Sequence, residues 1–167
     1  MIPNAIVYTS KTGFTREYAY LLGKKLALPV YPLEDALYGL PQGSAIVYLG
    51  WIHASRVQGF NRARKRFRLC GVCAVGLCDT GSLEREVRSA TAIPKDIPLF
   101  TLQGGFDRGK LKGMDKLLIS MLVKGLSSKQ QRTEQDERML YLLQRDDSYV
   151  REENLTAFLN WYATLQK

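Results

Sequence analysis

The stretch "YTSKTGFTREYA", residues 8–19, decides how the rest of the chain reads. An apolar run, Ala5-Ile6-Val7-Tyr8, leads into it. A helical pattern leaves it, with Tyr18, Leu21, Leu22 and Leu26 at helix spacing over residues 14–26. Between the two, Ser10, Thr12 and Thr15 set three hydroxyls around a single glycine, Gly13. A strand that turns into a helix presents the helix's first N–H groups outward, where they favour an anion. Gly13 lets the backbone approach such a ligand closely, and the hydroxyls donate to its oxygens. These parts suit a phosphate monoester. They equally describe an ordinary turn with a Ser/Thr helix cap. The position of the turn in the fold separates the two readings.

Outward from this turn, apolar β-rich runs alternate with helical patterns. Residues 4–9 predict a first strand and 29–33 a short second one, placed at a sheet edge by its prolines. Residues 45–50 predict a third strand, buried on both faces, 71–78 a fourth and 97–102 a fifth. Helices are predicted over 14–26, 57–69, 110–125, 129–145 and 150–165. This alternation predicts an α/β chain with a parallel sheet covered on both faces. One domain is expected over 1–167, because the linker-like stretch 125–138 lies too near the end to divide two. In an open parallel sheet, ligands bind beyond the carboxyl ends of the strands, which is where residues 9–15 fall. The chain lacks the Walker pattern G-x-x-x-x-G-K-[ST], and a single glycine at this turn does not make the dinucleotide fingerprint G-x-G-x-x-G.

The pattern [ST]-x-T-G-x-T after a first strand resembles the FMN phosphate loop of flavodoxins. Ser10-Lys11-Thr12-Gly13-Phe14-Thr15 meets it at every specified position. The resemblance implies a flavodoxin-like three-layer sandwich with a five-stranded parallel sheet in order 2-1-3-4-5. It implies FMN where the strand order reverses, with Thr9, Ser10, Lys11, Thr12, Gly13, Phe14 and Thr15 around its phosphate. The loops after the third and fourth strands would grip the ring. The first of these brings Trp51, Ile52 and His53, and Trp51 offers a stacking face. The second, "GLCDTGS" (76–82), resembles the family's G-x-G-D pattern at Gly76 and Asp79, with Cys78 replacing the second glycine. Cys78, Asp79, Thr80 and Gly81 would then meet the pyrimidine edge. Together with "TGFTREYA", the segment "QGGFDRGKLKGMDKLLISMLVKG" (103–125) is similar to the menaquinone-dependent protoporphyrinogen dehydrogenase branch. That likeness implies an FMN-dependent oxidoreductase or electron-transfer flavoprotein that works on a quinone, a porphyrinogen or a redox protein. Arg56, Arg108, Lys110 and Lys112 would be the anchors for a porphyrinogen's propionates.

The net charge is +8, whereas electron-carrier flavodoxins are typically acidic. A basic surround favours the negative charge gained on reduction and so predicts a higher potential. The same charge admits an alternative, a non-catalytic flavodoxin-fold binding module that has lost its flavin and meets nucleic acid through a basic surface. "FNRARKRFRL" (60–69) places five basic residues around a helix whose Phe60, Ala63 and Phe67 face inward. It reads as a solvated face or as a peripheral membrane patch. Leu111, Met114, Leu118, Met121 and Leu122 are expected to form a core stripe against the sheet. No apolar run has membrane-spanning length and the N-terminus lacks a signal pattern, so a cytoplasmic, at most membrane-peripheral, location is expected. Cys70, Cys73 and Cys78 are odd in number and short of four zinc ligands, and are expected as small buried residues.

Overall fold

The first strand, β1 (Ala5–Thr9), is apolar on both sides because both sides are covered. In the computed structural model, which describes residues 1–166, β1 pairs in parallel with an edge strand, β2 (Val30–Pro32), and with β3 (Ala45–His53). β3 pairs with β4 (Arg68–Gly76) and β4 with β5 (Leu99–Gln103), again in parallel. The five strands therefore lie in order 2-1-3-4-5. Parallel neighbours need crossovers. The chain makes them with α1 (Phe14–Leu26), α2 (Leu33–Gly39), α3 (Phe60–Arg66) and α4 (Glu84–Thr91). Beyond β5 come α5 (Met114–Ser127), α6 (Glu134–Leu143) and α7 (Thr156–Thr164).

Side-chain alternation divides each inner strand between two cores. Val7, Tyr48 and Val72 face α2, α3 and α4, where Ala36, Phe60, Ala63 and Val87 meet them. Ile6, Val47, Leu49 and Cys73 face α1 and α7, against Tyr18, Leu22, Phe158 and Tyr162. The result is a flavodoxin-like three-layer sandwich. Burial of each large apolar side chain contributes roughly 1.5–3 kcal/mol.

Several boundaries differ from expectation, each for a local reason. β3 runs on to His53 because a two-residue antiparallel return, Arg56–Val57, pairs with its end. That return and Gly59, at φ 79°, delay α3 to Phe60, and Phe67 is already extended, so the expected helix over 57–69 shortens to seven residues. β4 accordingly starts at Arg68 and stops at Gly76, not 71–78. α2 and α4 were not expected. α4 buries only Val87 and Thr91, too few apolar positions to reveal a period. In the polar 129–145 stretch, a reciprocal cap between Thr133 and Asp136 sets the start of α6.

The largest correction concerns 111–126. Met114, Leu118, Met121 and Leu122 do not pack on the sheet: all four are exposed, and Leu111 is only partly buried. The sheet face beside α1 is covered by α7 instead, through Leu155 at its N-cap, Phe158 and Tyr162. Residues 107–146 instead form an excursion whose ends are clasped together. Gly105 pairs with Ser148 and Phe106 with Asp147, antiparallel, and the Tyr149 N–H donates to the Gly104 carbonyl at 2.7 Å. α5 and α6 share a small core of Phe106, Leu126, Leu140 and Leu143, with Leu77 from the end of β4 beneath it. The excursion thus sits at the carboxyl end of the sheet. Among the described residues, no helix is long and apolar enough to cross a membrane.

Candidate functional site

Gly13 caps α1 at φ 106°, ψ −27°, a backbone conformation that disfavours any residue with a Cβ. The bend is closed locally: the Gly13 N–H donates to Ser10 Oγ at 3.1 Å, and the Glu17 N–H to the Gly13 carbonyl at 3.0 Å. Glu17 is the first donor to bond back to the bend, so the amides of Phe14, Thr15 and Arg16 leave the helix end with no acceptor inside it. Ser10 accepts through its oxygen, and its own proton stays available. Above the bend stands a cation. Lys110 Nζ lies 4.0 Å from the point where a Gly13 Cβ would be and 5.5 Å from the Phe14 ring centre. A hollow of about 480 Å³ opens here, lined by residues 8–13, Arg16, Pro32, Leu33, Glu34 and Lys110.

A second cavity, of about 220 Å³, adjoins the first through shared walls at Lys11 and Thr12. The start of α1 adds Phe14 and Thr15, β3 adds Trp51, Ile52 and His53, and the end of β4 with the residue after it adds Val75, Gly76 and Leu77. Leu111, Asp115, Leu118 and Ile119 close it from the excursion. Lys11 crosses this cavity. Its ammonium stands 5.0 Å from the Trp51 ring centre and pairs with Asp115. Trp51 and His53 are tilted neighbours, with centroids 5.5 Å apart. His53 itself is exposed.

Thr9 is committed elsewhere. Tyr48 donates its phenolic proton to the Gln58 carbonyl at 2.7 Å, so in the 2.8 Å contact between Thr9 Oγ1 and the Tyr48 hydroxyl, Thr9 must donate. Burial holds the Tyr48 hydroxyl neutral, its pKa pushed far above the ordinary tyrosine range. Thr9 therefore locks the loop after β3 onto the end of β1, with only lone pairs left to offer a ligand.

The loop after β4 is also turned away. Leu77 lines the cavity, but Cys78 and Asp79 line a different hollow under α6, and Asp79 pairs with Arg138 at 3.0 Å. Thr80 Oγ1 accepts from the Gln103 N–H at 3.0 Å, and the Gly81 N–H donates to the Thr101 carbonyl at 3.0 Å. The structure thus gathers Lys11, Thr12, Phe14, Thr15, Trp51, Ile52 and His53 around one cavity. It holds Thr9, Ser10 and Gly13 in the adjoining hollow and sets Cys78, Asp79, Thr80 and Gly81 apart from both. The basic candidates divide as well: Arg108 pairs with Asp146 and Lys110 with Asp107, while Arg56 lies in the return after β3. The lining from Asp115, Leu118 and Ile119 carried no local signal in the sequence. It depends on the excursion folding back across some hundred residues of chain.

All three cysteines are free, with Cys70 and Cys73 buried and Cys78 partly so. Burial pushes all three thiols up, and for Cys78 the carboxylates of Asp79 and Glu86 add to it. The thiolate is the reactive form. Iodoacetamide at neutral pH is therefore expected to label the native protein far more slowly than the denatured chain, Cys78 included. Mass spectrometry of the labelled sites checks this, and a Cys78 that alkylates at the rate of an unfolded thiol contradicts it.

No protein-family model, curated protein or solved structure matches this chain.

Proposed function

We propose that the chain is a flavodoxin-like FMN protein acting as an oxidoreductase or electron-transfer flavoprotein. One observation carries the reading: an anion-type glycine bend and a Trp51-walled apolar cavity share walls at the β1/β3 switch point of a 2-1-3-4-5 sheet. The donor set fits the nucleotide. Free amides at the start of α1, the Ser10 and Thr12 hydroxyls and the Lys110 ammonium suit a phosphate. Trp51, Ile52, Val75 and Leu77 suit a flat apolar ring. When bound, the flavin would supply the redox chemistry. The protein's share is to position it, exclude water with the excursion and set the field. Lys11 stands over Trp51, so a ring stacked on that face trades places with it and leaves Asp115 to re-pair. Arg16, in no ion pair among the described residues, favours added negative charge in the site, whereas Asp115 and Asp107 offset Lys11 and Lys110 until a ligand draws them away. A quinone, a porphyrinogen or a partner redox protein is the proposed exchange partner.

The test is titration of the purified protein with FMN and with riboflavin, read by quenching of flavin fluorescence. FMN is expected to bind and riboflavin to bind far more weakly, because only FMN carries the phosphate. Spectroelectrochemistry of the FMN complex is then expected to give a two-electron potential above that of acidic flavodoxins. No quenching by either flavin overturns the reading. It would favour the alternative, a binding module whose Lys11–Asp115 pair fills the space a flavin once held.

A further inference from the structure

α5 carries two apolar stripes rather than one. At about 100° per residue, Ile119, Val123 and Leu126 share the side that packs toward α6. Met114, Leu117, Leu118, Met121 and Leu122 form an adjoining side that faces solvent, with exposures from 44% at Leu122 to 69% at Met114. Lys116 and Lys124 occupy the third side, and Lys112 stands just before the helix. Asp115, the only acidic residue of α5, is committed to Lys11. Among the described residues, Lys112, Lys116 and Lys124 enter no ion pair. Lys124 thus flanks the exposed apolar face and Lys116 lies across the helix from it, so the charge that α5 leaves unpaired is all positive.

We propose that this face docks on the surface of an anionic lipid bilayer. An apolar stripe on a helix whose unpaired charges are all positive matches the acyl boundary beneath anionic headgroups. The fourteen residues of α5 make a helix about 21 Å long, against roughly 30 Å for a hydrocarbon core, so it lies in the interface and does not span it. A second copy of the chain is a poorer occupant, since two chains of net charge +8 bring like charge to like and leave the α5 lysines without an anionic partner. The site moves away from the basic stretch 60–69. There Arg62 is held by Glu34 and Arg66 by the Leu40 carbonyl, and α3 ends beside the amino end of β4, opposite the cavity. Leu118 both belongs to the exposed face and lines the cavity, so docking brings the cavity mouth to the lipid. The docking does not depend on the flavin, and it is tested without one.

The experiment is flotation of the full chain, no flavin added, with vesicles of mixed phosphatidylglycerol and phosphatidylcholine and with phosphatidylcholine alone. The chain is expected to float with the anionic vesicles, to release at high salt and to ignore the neutral ones. Leu117→Glu/Met121→Glu places charges on already exposed positions and is expected to keep the melting temperature while losing more than about tenfold in partitioning. Lys112→Glu/Lys116→Glu/Lys124→Glu is expected to lose at least about a hundredfold. Arg64→Glu/Lys65→Glu on α3 is expected to leave partitioning unchanged. No flotation of the wild type, wild-type flotation of the Leu117→Glu/Met121→Glu variant, or loss confined to the α3 variant overturns the proposal. A wild-type dimer that Leu117→Glu/Met121→Glu dissociates, without vesicle binding, does so too and identifies a second copy as the occupant.

Discussion

Gly59→Ala is expected to cost about 3–5 kcal/mol, the largest loss for so small a change. Gly59 lies at φ 79°, and a Cβ there would stand 2.1 Å from the Tyr48 hydroxyl and 2.6 Å from Thr9 Oγ1. Three costs accumulate. A left-handed alanine costs roughly 1–2 kcal/mol, overpacking a fixed core costs about 1–3 kcal/mol, and the displaced hydroxyl loses hydrogen bonds worth about 1 kcal/mol each. Tyr48 cannot step aside, because its ring is fully buried and its hydroxyl is held by both Thr9 and Gln58. Tyr48→Phe alone is expected to cost about 1–2 kcal/mol, from the unpaired Gln58 carbonyl. It also removes the atom that the alanine strikes. The double variant should therefore be more stable than the sum of the two single changes, by at least about 1 kcal/mol. Denaturant unfolding of all four proteins measures the cycle. Strict additivity, or a Gly59→Ala variant within about 1 kcal/mol of wild type, would show that the contact is not rigid.

The same lock explains part of what the sequence could and could not convey. The parallel sheet covered on both faces was legible because continuous apolar strands alternate with helical periods, whereas its order was implied only by the resemblance that Ser10 to Thr15 carries. Ser10 to Thr15 was legible as a turn because its glycine and hydroxyls are contiguous. The role of Thr9 was not legible, since its partner Tyr48 lies 39 residues away. Nor was the aim of the loop after β4, which Arg138 of α6 helps to fix through Asp79. The stripe over 111–126 misled for a different reason. A 3.6-residue period announces a helix and its apolar sides, but it names no partner for them. α5 has one apolar side against α6 and another against solvent, and a period merges the two. The close packing at Gly105, just past β5, was equally silent. A Cβ there would meet the Phe14 ring at 2.7 Å and the Asp147 carbonyl at 2.5 Å, and the second contact exists only once the excursion has closed.

Gly13→Ala separates folding from binding, and its expected result is the reverse of that at Gly59. The backbone at Gly13, φ 106°, is again unfavourable for alanine. The space, however, is open: a Cβ would meet only Lys110 Nζ, at 4.0 Å. Nothing is struck and no buried network breaks, so the stability loss should stay near about 1–2 kcal/mol. FMN affinity is expected to fall at least about a hundredfold, since the amides at the start of α1 would be turned and a methyl would stand between the bend and Lys110. Riboflavin, which has no phosphate, should bind the variant as it binds wild type. That contrast matters because a damaged fold would lower both. Titrations of FMN and riboflavin against wild type and Gly13→Ala, with melting curves of each, supply the four affinities. If the variant binds FMN as wild type does, the phosphate does not sit on this bend. If both flavins weaken together, the change acts through the cavity and not through an anion site. Only a loss confined to FMN ties the glycine, the amides and Lys110 to one negatively charged group.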